Sequence, residues 1–409
     1  MGRKIGRSRV SRREFLFGAG AGAVALGLAA CGPQSGGSQG GGGGSGGGQP
    51  VSLTVIDVAG NLQLSEDIIE TFAEENSDIV RQVSFTTATA PELPSKIKAQ
   101  QKADQVSLAV ALTGADGLSA GIEEDLWINL ESDYADELPD LEQIYINTDA
   151  QDLAQGFGAL IAYGNYGPTF TYNPEKVATP PKTADELLTW AKQNSGQFMY
   201  ARPANSGPGR TMLMGLPYIL GDSDPRDPET WDKTWSFLKD LGKHIDYYPA
   251  GTTPTMEELG GGSRSMVAST MGWDMNPRVL GTVPKDFGAV ILDKTTLVAD
   301  GHYAVIPKGL NQQLLDISLD LISFILEPEQ QAKTYDDAYF YPGPAVKDVT
   351  LDMAPEESQK AVNSVKRPEF DQAIEDLPVE VQLDAPSLVR AFELWDERIG
   401  GSKVREDLA

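Results

Sequence analysis

Cysteine occurs once in the 409 residues, at Cys31, and histidine twice, at His244 and His302. A single thiol near the start excludes disulfides, cysteine-ligated metal and thiol catalysis from the rest of the chain. The two histidines have no partners at metal-ligand or catalytic-triad spacing, so neither a metal nor a cofactor is expected. Basic residues are scarce as well: 33 Lys and Arg stand against 59 Asp and Glu, a formal charge of −26. Such a surface repels nucleic acid and anionic lipid. It suits a salty or solvent-exposed setting and draws cationic small molecules, although a plainly solvated acidic surface accounts for it too. Long apolar runs are also missing; the one near the start holds roughly 15 residues rich in Gly and Ala, against the about 20 that a membrane span needs.

That short run is informative in its flanks. Arg3, Lys4, Arg7 and Arg9 precede Ser11-Arg12-Arg13-Glu14-Phe15-Leu16, and the run ends at Leu28-Ala29-Ala30-Cys31-Gly32. A basic start, an apolar core and small residues at the end make an export signal. The arginine pair resembles a twin-arginine signal, and the Leu-Ala-Ala-Cys run resembles a bacterial lipobox, which implies diacylglycerol on Cys31 and anchoring at the outer face of the cell membrane. Two or more acyl chains make such anchoring durable. Without residues 1–30 the chain keeps 27 basic and 58 acidic residues, a formal −31. Residues 32–50, nearly all Gly, Ser and Gln, read as a flexible tether with a reach on the order of 25 Å. Gly36-Gly37-Ser38-Gln39-Gly40 matches a hydrolase nucleophile elbow, but no strand precedes it and no helix follows, which leaves a chance match.

From Val51 onward the chain alternates strand and helix patterns. Val51–Val58, Ile79–Phe85 and Val106–Leu112 read as strands, and Leu64–Glu75 and Pro91–Asp104 as helices. The order implies a parallel sheet with right-handed crossovers. Ligands sit beyond the carboxyl ends of such strands, which puts Gly60-Asn61 and Thr113-Gly114-Ala115-Asp116 at a candidate mouth. Gly156–Asn173 reads as an extended crossing. A helix over Thr183–Gln193 opens with capping-box spacing between Thr183 and Glu186, and a strand over Gln197–Pro203 follows. Ser206-Gly207 leads into the apolar run Met212–Leu220, where it either caps a helix or offers N–H groups to a ligand. Trp231, Trp235, Leu238 and Leu241 share one helical face and read as core. Then come a strand at Ser265–Met271, a loop at Gly272–Pro277, strands at Phe287–Leu292 and Asp300–Pro307, and helices at Gln312–Leu326 and Pro328–Ala338.

Signal, lipobox, tether, paired strand–helix lobes, Tyr172-Asn173-Pro174, Gly301-His302-Tyr303-Ala304-Val305-Ile306-Pro307-Lys308 and Tyr341-Pro342 together resemble the family-1 extracellular solute-binding proteins of ABC importers. That group includes binders of sugars, polyamines, thiamine and ferric iron. The resemblance implies an α/β, two-lobed periplasmic-binding-protein-like fold, each lobe a mainly parallel sheet flanked by helices. Lobe 1 is expected at 51–160 and 299–341, and lobe 2 at 161–298 and 342–409. Hinge segments are expected near Gly164–Tyr172, Ala299–Tyr303 and Tyr341–Pro344. It further implies a monomer that takes a small-molecule ligand in the cleft and delivers it to a membrane permease with its ATPase.

Strand ends and crossings nominate Asn61, Asp116, Tyr163, Tyr166, Ser206, Trp273, Asp274, Asn276, Tyr303 and Tyr341 for the cleft. Trp273 beside Asp274 pairs an aromatic face with a carboxylate, which suits an ammonium group and also a sugar. An organic cation, polyamine- or thiamine-like, is the first expectation and a sugar or other neutral solute the second. Ferric iron or an anion is the third, with His302-Tyr303 a better iron pair than Tyr247-Tyr248. Two other classes share the export features: a secreted lipoprotein hydrolase and an adhesive or receptor-facing lipoprotein. Ser95 and Lys98 match Ser-x-x-Lys without its companion motifs, and Asp222-Ser223-Asp224 with Asp227 is half a calcium loop without its Gly and Glu.

Overall fold

A computed structural model describes residues 49–89, 92–405 and 407, without the side chains of Asn165 and Tyr166. The export signal, Cys31 and nearly all of the tether lie outside the described residues.

The opening alternation folds as its periodicity predicts, into β1 (Val51–Asp57), α1 (Leu62–Glu75), β2 (Val80–Thr87), α2 (Leu93–Lys102) and β3 (Leu108–Thr113). β1 pairs in parallel with both neighbours, Val55 lying opposite Phe85 on one side and Val110 on the other. α1 turns Leu64, Ile68, Ile69 and Phe72 onto the sheet, the spacing of one helical face. All six residues of β3 are buried, as a continuous apolar run covered on both faces requires. α3 (Ala115–Glu123) follows at once.

β4 (Ala159–Gly167) and β5 (Thr169–Tyr172) form the expected crossing, with β4 in the first sheet and β5 in a second. α4 (Ala184–Gln193) begins at Thr183, whose Oγ1 accepts from Glu186 N at 3.1 Å while Glu186 Oε2 accepts from Lys182 N at 2.8 Å. The chain then runs through β6 (Phe198–Met199), α5 (Gly207–Leu220), α6 (Asp232–Gly242), β7 (Tyr248–Pro249), α7 (Thr252–Gly260), β8 (Met266–Ser269), α8 (Met271–Val279) and β9 (Gly288–Val290). β10 (Leu297–Val305) returns to the first sheet, antiparallel to β3 and β4 and lying between them. α9 (Gln312–Ile325), β11 (Pro342–Gly343), α10 (Glu356–Val365), α11 (Pro368–Asp376), β12 (Val379–Glu380), α12 (Ala385–Trp395) and β13 (Val404–Arg405) complete the fold.

The larger sheet has the order β11-β4-β10-β3-β1-β2, with β12 alongside β10. The smaller has the order β6-β8-β5-β9; its β5–β8 and β5–β9 pairs are antiparallel and β6–β8 parallel, so the two sheets are mixed where mainly parallel ones were expected. Each carries its own apolar core, and Trp231, Trp235, Leu238 and Leu241 are buried in the smaller one.

Three local expectations are corrected. Gly272–Pro277 is helical within α8, although Gly272, Asn276 and Pro277 are poor helix formers. Thr270 Oγ1 caps it by accepting from Trp273 N at 3.3 Å, and a buried ion pair from Asp274 to Arg278 one turn on outweighs the weak propensity. Second, 299–303 lies within β10 and 342–343 forms β11, both in the larger sheet, so neither is a crossing; the chain passes between sheets at Pro168, between β9 and β10, and between β12 and α12. Third, the chain stays with the larger lobe past 341. β11 pairs with β4, and Ala345, Val349, Val362, Val365 and Phe370 pack into the larger core, whereas Leu388, Ala391, Leu394 and Trp395 of α12 join the smaller. A helix's apolar stripe shows that it is buried without showing against which sheet.

Candidate functional site

Where β1 ends, Asp57 turns its carboxylate back onto the start of α1. Oδ1 accepts from Ala59 N and Asn61 N at 3.0 Å each, and Oδ2 from Leu62 N at 2.9 Å, so the buried charge sits against the positive end of the helix. Asn61 is thereby fixed. Its Oδ1 accepts from Ser65 Oγ at 2.7 Å, which leaves its Nδ2 to donate to His302 Nδ1 at 3.1 Å. His302 is therefore the neutral Nε2–H tautomer. Burial pushes its pKa down to about 4, against the upward pull of Asp57 and Asp116 and with the downward push of Arg210. Its ring stacks at 4.4 Å on Phe340.

Two residues before His302, Asp300 is 5% exposed. Its Oδ1 accepts from Gly301 N at 2.9 Å and from Gln382 Nε2, and its Oδ2 lies 4.0 Å from Arg210 Nη2. Burial raises its pKa, with Arg210 and the Gly301 amide opposing and Asp116 adding to the rise. Asp116, at the start of α3, is half-buried and accepts from Gly117 N at 2.8 Å. Tyr339 stands over the β1–α1 turn: a β-carbon at Gly60, where φ is +73°, would lie 3.1 Å from its hydroxyl. Burial pushes the Tyr339 hydroxyl up to about 12, helped by Asp57, Asp336 and Asp300. From the smaller lobe, Trp273 meets Tyr339 edge to face at 5.8 Å. Asp57, Asn61, Asp116, Asp300, His302 and Tyr339 of the larger lobe thus share one region with Arg210 and Trp273 of the smaller. Carboxylates and aromatic rings predominate there, with one guanidinium.

Of the residues expected at the cleft, the structure brings Asn61, Asp116 and Trp273 to this region. Six others are engaged internally. Tyr163 OH accepts from Asn147 Nδ2 at 2.8 Å, Tyr303 OH donates to Ala150 O at 2.6 Å, and Tyr341 OH donates to Asp371 Oδ1 at 2.7 Å. Ser206 Oγ accepts from Gly209 N at 3.2 Å and bonds Thr252 Oγ1 at 2.7 Å, which is capping. Asn276 Nδ2 donates to Asp337 O at 3.1 Å. Asp274, cast with Trp273 as an ammonium receptor, accepts at Oδ1 from Arg278 at 2.6 Å and Thr171 at 2.8 Å, and at Oδ2 from Arg278 at 3.2 Å and Arg367 at 2.6 Å. Its neighbour Trp273 faces the region without it. The Tyr166 side chain lies outside the described residues.

Sequence reasoning missed Arg210, Asp300, Tyr339 and Gln382, and it noted His302 only for iron. His302 and Tyr303, adjacent on a strand, bond in different directions, to Asn61 and to Ala150. Among the described residues no three or more His, Cys, Asp or Glu are grouped to hold a metal. Also among them, no helix is long and apolar enough to cross a membrane.

No curated protein matches the chain. Its fold matches solved structures of modest identity. A spermidine/putrescine ABC transporter substrate-binding protein from Streptococcus pneumoniae is 18% identical with a TM-score of 0.58, covering 84% of this chain and 99% of that one. An ABC transporter structure from Clostridium perfringens is 16% identical with a TM-score of 0.61, covering 84% and 97%. A periplasmic binding protein from Actinobacillus pleuropneumoniae with fructose-6-phosphate bound is 17% identical with a TM-score of 0.58, covering 85% and 98%. These establish the two-lobed fold. Residues 67–365 match the profile of the bacterial extracellular solute-binding proteins, a family of transport proteins and not of enzymes, and the chain belongs to that family.

Proposed function

We propose that this protein captures a small organic cation between its two lobes and hands it to an ABC permease powered by an ATPase. The single observation that carries the ligand class is the Trp273–Tyr339 pair across the lobes, with Asp300 acting electrostatically on Tyr339 and Asp116 on Asp300. Carboxylates offset a positive charge, and aromatic faces add about 0.5–2 kcal/mol through cation–π attraction, depending on desolvation. The Streptococcus pneumoniae relative, named for spermidine and putrescine, supports a cationic solute. The surplus of 58 acidic over 27 basic residues after Ala30 favours attraction of cations toward the opening. The protein works as a monomer, held to the outer face of the membrane by lipid on Cys31 and the glycine-rich tether.

Calorimetry and thermal shift against spermidine, putrescine, thiamine, a sugar panel and ferric citrate test the reading. A cation at 100 times its Kd stabilises the fold by about 2.7 kcal/mol through mass action. Its affinity falls with salt and falls again in Asp116→Asn. Tight sugar binding, indifferent to salt and to Asp116→Asn, overturns the cation and leaves a sugar binder.

A further inference from the structure

Arg210 stands apart from the other buried and partly buried arginines. Arg278 donates to Asp274 at 2.6 Å, Arg367 to the same carboxylate at 2.6 Å, Arg264 to Glu258 at 2.9 Å, and Arg202 to both oxygens of Asp396. Arg210 has no such partner. Its Nε is buried with no acceptor, its Nη1 lies 3.5 Å from Gln382 Oε1, and its Nη2 lies 4.0 Å from Asp300 Oδ2. Charge-assisted bonds between a guanidinium and a carboxylate run at about 2.7–2.9 Å, so both contacts are slack.

Asp300 does not close the gap, because its Oδ1 is held by Gly301 N and Gln382 Nε2. Gln382 is itself fixed, its carbonyl accepting from Arg226 at 3.1 Å. The guanidinium, with its side chain 18% exposed, is thus left with a fork of donors and its paired carboxylate no nearer than 4.0 Å. A charge largely withdrawn from water in that condition is costly unless something pairs with it. Arg210 and Asp116 both act electrostatically on Asp300 and His302. The region therefore carries one positive and several negative groups, and a solute with a positive end alone leaves the positive group unanswered.

We propose that Arg210 donates to an anionic oxygen group of the solute, a carboxylate or a phosphate, so that the ligand is a zwitterion whose ammonium faces Asp116 and the Trp273–Tyr339 pair. This rests on the inter-lobe site described above and narrows its cation to one that also carries an acid.

Calorimetry on the full chain decides it with three probes of similar length: putrescine, 4-aminobutyrate and O-phosphoethanolamine. At least one zwitterion should bind about tenfold or more tighter than the diamine, and the better of the two distinguishes a carboxylate from a phosphate. Arg210→Gln should weaken that zwitterion by about a hundredfold and reverse the wild-type preference for it over putrescine. Arg210→Lys, which keeps the charge and loses the fork, should fall between. The wild-type preference needs no variant, so a poorly folding mutant does not void the test. Putrescine binding tighter than both zwitterions overturns the zwitterion and keeps the cation site. Binding of none of the three at millimolar concentration overturns it too, and the sugar panel then decides whether the inter-lobe site itself stands.

Discussion

Asp274 and Arg367 lie 93 residues apart and meet at 2.6 Å, Arg367 Nε donating to a carboxylate whose other oxygen holds Arg278. Arg278 also donates to Phe287 O at 2.7 Å, and Arg367 to the same oxygen at 2.5 Å. One buried carboxylate therefore ties α8 to the approach to β9 and to the link between α10 and α11. A residue that looked poised for a ligand is a structural tie.

The first prediction follows from that tie. Asp274→Asn leaves two guanidinium groups short of a counter-charge and should cost about 3–5 kcal/mol, the usual penalty for breaking a buried pair. Thermal denaturation reads the loss, and a double-mutant cycle with Arg367→Gln should show coupling of about 1 kcal/mol or more. A melting temperature equal to wild type sinks the assignment.

His302 makes stability depend on pH. Its pKa falls from 6.5 to about 4 on folding, so between those values the unfolded chain binds a proton that the folded one refuses. Stability from this group is complete above about pH 6.5 and is lost as pH falls toward 4, to a limit of about 3 kcal/mol. His302→Gln keeps an acceptor for Asn61 and removes the titration. The melting curves of wild type and variant should converge as the pH drops through that window; the Asp300 contribution, of opposite sign, is common to both and cancels. Parallel curves from pH 7 to 4 count against a neutral buried imidazole.

Solute capture should compact the molecule. The two sheets are joined by the Pro168 crossing, the segment before β10 and the segment after β12, and hinge closure about such links brings the walls together. Small-angle scattering should show a smaller radius of gyration with saturating solute than without. An unchanged radius argues against a closing cleft.

Anchoring is tested at the other end of the chain. Cys31→Ala should release the protein or leave uncleaved precursor, and replacing Arg12 and Arg13 with lysine should block export. Fractionation that finds mature, membrane-bound protein for both variants overturns the twin-arginine lipoprotein assignment.

Much of the fold was legible because its signals are local. The alternation of β1, the facing residues of α1 and the tryptophan stripe of α6 are periodic patterns that survive into the structure. Asn61 and Asp116 were legible for a topological reason, since both follow strand ends of a parallel sheet. Tyr303 misled because all nine residues of β10 are buried. With both faces covered, no alternation in polarity tells which side chain enters the core and which meets the other lobe. Arg210 was illegible for the opposite reason: it is a lone charge in the first turn of an otherwise apolar helix. Its significance lies in a partner it lacks, and sequence spacing does not report that. Asp274 and Arg278 form an i,i+4 pair that spacing alone allows, but Arg367 arrives from too far away to be foreseen.

The place of β10 has a consequence for synthesis. β3 and β4 are made early and do not touch; β10 is the strand that joins them, and it emerges only after the whole stretch from β5 to β9. A nascent chain arrested before Leu297 carries two fragments of an unfinished sheet, with the backbone edges of β3 and β4 unpaired and open to wrong partners. The larger lobe must therefore wait for the smaller. A truncation anywhere before Val305 should yield an aggregating fragment rather than a shorter working lobe.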